Sequence, residues 1–173
     1  IRDSPSAALT SLNVSGNFPA GRISKDNDGR APLLPGTEFE PWTIFCDALQ
    51  ASHVSNLIMS DCYLGPEAIQ ILATRFSAAL TSLTIAQNPI GAPGATALVE
   101  ALKSAPSIEI INIGQPLPLK SQYESDCLDL SKKQMDAGQA IILAWWLSLP
   151  VSAALTSLCL LYTSDAADDR MRG

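Results

Sequence analysis

Apolar residues recur along the chain in one short pattern: two three apart, a third two further on, and a polar or thiol residue three beyond that. Leu9, Leu12, Val14 and Asn17 form the first copy. Val54, Leu57, Met59 and Cys62 repeat it, as do Leu80, Leu83, Ile85 and Asn88. Ile108, Ile111 and Ile113 follow it with Pro116 in the last slot, and Leu128 with Leu130 matches in part. Leu12 and Val14, like Leu83 and Ile85, stand two apart, so in an extended chain both point to one face. Short strands are predicted with these residues inward. The outward positions are then Ser11, Asn13 and Ser15; Asn56, Ile58 and Ser60; Ser82, Thr84 and Ala86; and Ile110, Asn112 and Gly114.

A helical period follows each predicted strand. Ala95, Leu98 and Leu102 share one face of a helix. Gly91 and Gly94 mark the turn into it, and Pro93 sits near the first turn, where a missing N–H costs nothing. The stretch aligns without gaps on Leu64 to Phe76, and on Met135 through Ala140, Leu143 and Leu147. The last alignment places Trp145 outward with Glu100, and Trp146 beside the neighbouring helix with Ala101. The heptapeptide Ser-Ala-Ala-Leu-Thr-Ser-Leu also occurs at Ser6–Leu12, Ser77–Leu83 and Ser152–Leu158, which marks the chain as internally repetitive.

The spacing from Val54 to Leu80 is 26 residues, and from Leu80 to Ile108 it is 28. With its pattern and full helix, this unit resembles the ribonuclease-inhibitor-like leucine-rich repeats, a type also found in intracellular nucleotide-binding immune sensors. The resemblance implies an α/β solenoid over residues 1–158: about five units, a curved parallel sheet inside and helices on the convex side, truncated at both ends. It further implies that Asn17 and Asn88 bond backbone groups of the turn, with Cys62 a buried structural thiol in the same slot. No unit of this kind buries its own apolar stripe, so neighbours supply the core to one another.

Two stretches break the period. Residues 18–40 hold Gly21, Gly29, Gly36, Pro19, Pro32 and Pro35 and stretch the first spacing, Leu9 to Val54, to 45; residues 116–126 do the same between Ile108 and Leu155, at 47. Both read as surface loops, with a helix resuming at Trp42–Leu49 on Phe45 and Leu49. The chain opens at Ile1 inside a copy of the pattern. Residues 159–173 resemble the translation of a sequencing-library adapter, so the natural sequence is expected to stop informing the fold at Leu158.

Composition narrows the function classes. Apolar residues make up 47% of the 173, enough for a sizeable core, and no apolar run reaches the ~18 residues of a membrane span. Seventeen acids against 11 Lys and Arg leave a formal charge of −6 without a basic cluster or aromatic platform, which excludes nucleic acid and anionic lipid as main partners. Cys46, Cys62, Cys127, Cys159 and the single His53 have no metal-site spacing, and sparse cysteines favour the cytosol. His53 reads as a surface turn residue, and no nucleophile-elbow, phosphate-loop or zinc-protease motif is present. Asp26-Asn27-Asp28-Gly29 lacks the later ligands of a calcium loop.

The expectation is therefore a non-catalytic scaffold without cofactor or metal. It would bind a protein or peptide through the outward strand positions, from Ser11 to Asn112, and through the insertions. Two alternatives place the chain in a larger protein: as the sensor or autoinhibitory half of a nucleotide-binding signalling protein, or as the targeting module of an enzyme.

Overall fold

A computed structural model describes residues 8–24, 33–35, 37, 39–133 and 135–160. The elements in chain order are β1 (Ser11–Asn13), β2 (Arg22–Ser24), β3 (Leu33–Pro35), α1 (Phe39–Gln50), β4 (Asn56–Ile58), α2 (Pro66–Ala73) and β5 (Ser82–Thr84). They continue with α3 (Gly91–Ser104), β6 (Ile110–Asn112), β7 (Pro116–Pro118), β8 (Cys127–Asp129), α4 (Ala137–Leu147) and β9 (Ser157–Cys159). The fold is mixed α/β, with a mostly parallel sheet and four helices among the described residues.

The apolar pattern sets the register. β1, β4, β5 and β6 pair in parallel with Leu12, Leu57, Leu83 and Ile111 directly opposite one another. Leu57, Leu83 and Ile111 are buried, as are the next inward residues Met59, Ile85 and Ile113. Helices pack behind: α2 buries Ala68, Ile69, Leu72 and Ala73, and α3 buries Gly94, Ala95, Leu98, Val99 and Leu102 at the equivalent positions. Gly94 lies inside the helix, not in the turn before it, and Pro66 passes 3.1 Å from where a Cβ would stand there.

The fourth residue after Leu12, Leu57, Leu83 and Leu128 takes up a left-handed backbone, at Gly16, Asp61, Gln87 and Lys132. Only glycine does so without steric cost. Gln87→Gly is expected to raise stability by about 1 kcal/mol; an unchanged urea midpoint would show that this turn carries no strain.

Several expectations are corrected. Residues 18–40 are not all irregular: β2 and β3 pair antiparallel, and α1 starts at Phe39. Residues 25–32, 36 and 38, with the acidic Asp26, Asp28 and Glu38, lie outside the described residues. In α1 the buried side chains are Trp42, Cys46 and Leu49, with Phe45 half-buried and stacked on Trp42. The Trp42 indole donates to the Ala68 carbonyl at 2.8 Å, tying α1 to α2.

Residues 116–126 open with a strand instead of a loop. β7 pairs antiparallel with β6, so Pro116 opposes Asn112 and does not take the turn slot. The Leu119 N–H donates to Glu109, which turns the outer edge of β7 toward Pro116 and Pro118, residues with no N–H to offer a further strand. The Trp146 indole takes the Pro118 carbonyl on that edge at 2.7 Å. The parallel run therefore stops at four strands, and β8 and β9 form a separate parallel pair with Leu128 opposite Leu158. A single five-unit sheet is not what forms.

The inward face of α4 differs by one residue from the aligned one. Gly138, Gln139, Ile142, Leu143 and Trp146 are buried, while Ala140 is exposed and Leu147 is 38% exposed. Trp146 thus matches Leu102, and Trp145 is half-buried against the core. Backbone contact fixes this phase: a methyl on Gly138 would stand 2.5 Å from the Gly91 carbonyl oxygen. Asp136 then caps two helices, accepting from Gly138 and Gln139 of α4 through Oδ1 and from Gly91 of α3 through Oδ2. Cys159, assigned to a non-native tail, closes β9, and its carbonyl accepts from the Leu130 N–H. Residues 161–173 lie outside the described residues.

Candidate functional site

The outward positions of the strands share one face because the register pairs them directly: Ser11 with Asn56, Ser82 and Ile110, and Asn13 with Ile58, Thr84 and Asn112. Ser11 and Asn13 are exposed; Asn56, Ile58, Ser60, Ser82, Thr84, Ala86 and Asn112 are half-buried, as is Ser15. Ile110, at 37% exposure, is the one large apolar side chain of this row counted as exposed.

Some of this face is occupied with itself. Asn56 donates to the Ser11 hydroxyl, and Ser15 accepts from the Ser60 N–H. Asn13 and Asn112 spend their side-chain oxygens on Ser15 and Gly114, the residues two ahead, which closes the turn after each strand. Both retain an amide NH2 as the group to offer outward. Below the strands, Ser55 donates to the Thr10 carbonyl, Thr81 to Ser55, and Thr156 to Asp126. Those hydroxyls stitch neighbouring strand entries together.

The turn residues form a second set. Asn88 is 2% exposed and makes five bonds: Oδ1 accepts from Cys62 and Leu64, and Nδ2 donates to Met59, Ile85 and Ala86. Asn17, at the exposed first turn, donates to Val14 and Ser15 only. Cys62 directs its thiol at the Val14 and Ser60 carbonyls, the counterparts of Met59 and Ala86 for Asn88. Burial pushes its pKa up, and pushes the Cys46 thiol up to about 12. Both are weak nucleophiles as they stand.

The structure adds a feature that the period did not reveal. β7 extends the outward face, setting Pro118 opposite Ile110 and Pro116 opposite Asn112. Ile110, both prolines, Tyr123 and Glu124 border an open cleft of about 270 Å³. Tyr123 is half-buried and braced edge-on against Trp146, ring centres 5.3 Å apart. Lys120 reaches Glu109 beside Ile110 at 3.9 Å. The signal for this cleft was the Pro-Leu-Pro triplet: alternation puts Leu117 in the core and both proline rings outside.

A larger groove of about 390 Å³ lies between α4 and β9, lined chiefly by Leu143, Ala144, Leu147, Leu158 and Leu160. Elsewhere, His53 is exposed. Among the described residues no group of three or more His, Cys, Asp or Glu side chains could hold a metal, and no helix is long and apolar enough to cross a membrane. Protein-family models give no match to the chain, and neither do the curated proteins.

Proposed function

We propose that the chain is a segment of a leucine-rich-repeat solenoid and that it recognises a protein or peptide without catalysis. The observation that carries this reading is the alignment of Leu12, Leu57, Leu83 and Ile111, which holds the outward residues as a rigid surface. Rigid stacking lowers the ordering cost of binding, and small hydroxyl and amide side chains supply hydrogen bonds to a partner backbone. The cleft at Ile110, Pro116, Pro118 and Tyr123 supplies the apolar anchor that such a surface otherwise lacks. An intracellular setting accords with four unpaired cysteines, of which Cys46 and Cys62 are buried.

Peptides selected from a displayed library against the whole chain test the reading. Bound peptides are expected to lose tenfold or more in affinity when Thr84 or Ile110 becomes Arg, and to keep it when Thr96, exposed on α3, becomes Arg. Binders sensitive only to Thr96→Arg would overturn the assignment. Ser82→Ala and Thr84→Ala should change folding stability by less than about 0.5 kcal/mol, so any loss of binding reports on the surface.

A further inference from the structure

Building on the recognition reading above, we infer that the cleft beside β7 takes an arginine side chain of the bound protein or peptide, its methylene stem on the apolar wall and its guanidinium on Glu124.

Two kinds of wall meet in this cleft. On one side stand the Ile110 side chain and the rings of Pro116 and Pro118, brought together by the pairing of β6 with β7. On the other runs the segment from Ser121 to Ser125, and its Glu124 is the one charged residue among those that line the cleft. The segment is fixed on both sides of Glu124. The Tyr123 N–H donates to the Val151 carbonyl at 2.8 Å, and the Tyr123 ring is braced on Trp146. The Ser125 hydroxyl donates to the Cys127 carbonyl at 2.9 Å. The backbone at Glu124 is therefore held, while the residue itself is exposed. A cleft set in advance in this way lowers the ordering cost of an occupant.

The charges nearby say what fills it. Lys120, just ahead of the segment, already faces Glu109 at 3.9 Å. Among the described residues the Glu124 side chain has neither an ion pair nor a hydrogen bond, and Asp126, two residues on, adds a second exposed acid. A purely apolar occupant would strip water from the Glu124 carboxylate and give it no partner, which is costly. A long cationic side chain satisfies both walls, because its methylenes lie on apolar surface while its charge stays at the rim. Arginine fits better than lysine. Its guanidinium is flat and weakly hydrated, lies well against rings such as that of Tyr123, and meets a carboxylate through two parallel N–H bonds. The formal charge of −6 favours the approach of such a partner.

Peptides selected from the displayed library against the whole chain, then made synthetically, test this. Binders sensitive to Ile110→Arg are expected to share an arginine. Replacing it by citrulline, which keeps the shape and removes the charge, should weaken binding about fivefold, with lysine in between. Glu124→Gln should weaken the arginine peptide about fivefold as well and leave the thermal melt unchanged. On the citrulline peptide the same variant should have no effect, since both changes remove one contact. Both losses should shrink in about 1 M salt. Binders sensitive to Ile110→Arg that lack arginine would overturn the proposal and leave the recognition reading standing. So would an arginine whose replacement costs as much on Glu124→Gln as on the unaltered chain, or binders sensitive to Thr84→Arg alone. Binders sensitive only to Thr96→Arg, or a selection that yields none, would overturn both.

Discussion

Asn88→Ala is expected to lower folding stability by about 2–5 kcal/mol. The side chain is buried and lies between two turns, not on either surface. Removing it leaves the Cys62 and Leu64 N–H groups without their acceptor and takes the donor from Met59, Ile85 and Ala86. A buried donor left unmade costs about 1–3 kcal/mol, so the two N–H groups alone account for most of the loss. Asn88→Asp separates the halves, since it keeps an acceptor oxygen for both N–H groups and loses every donated bond. Asn17→Ala, with two bonds at an exposed turn, should cost about 1 kcal/mol or less. Chemical denaturation followed by circular dichroism ranks the three. Equal losses for Asn88→Ala and Asn17→Ala would contradict the burial argument.

Leu83→Ala is expected to cost about 2–5 kcal/mol through lost transfer energy and the cavity left behind. Leu83 is fully buried at the centre of the four parallel strands, with Leu57 on one side and Ile111 on the other. Both neighbours are held by ladder hydrogen bonds, so the gap cannot collapse. The same truncation at Leu12, half-buried on the edge strand, should cost less than half as much. Thermal melts of both variants decide the matter, and a wild-type-like melt for Leu83→Ala would mean that the strands do not carry the core.

Strand positions and the inward residues of β1, β4, β5 and β6 were readable from the chain, as were the buried faces of α2 and α3. Alternation of Leu57, Met59 and their counterparts is a local property, and one face of the pleat is enough to produce it. α4 was misread by one residue because it is apolar almost all round. Ala140 and Leu147 look as inward as Gly138 and Trp146 until a neighbour is present to choose. The choice fell to Gly138, where α3 approaches too closely for any side chain. The candidate surface divides in the same way. Its polar rows from Ser11 to Asn112 follow from alternation, whereas its apolar cleft requires the chain to turn back after Asn112.

In β4 and β5 and in α2 and α3, which residues point inward and which side chain closes the turn are matters of sequence alone, because a single unit already contains the two-residue and helical periods that express them. How many units share one sheet was settled by the fold. Pro116 and Pro118 stop the ladder only because the strand that carries them returns antiparallel on β6 and turns its donorless edge outward. That return brings together residues distant in sequence, such as Pro118 and Trp146, and a period has no means of recording a contact that occurs once.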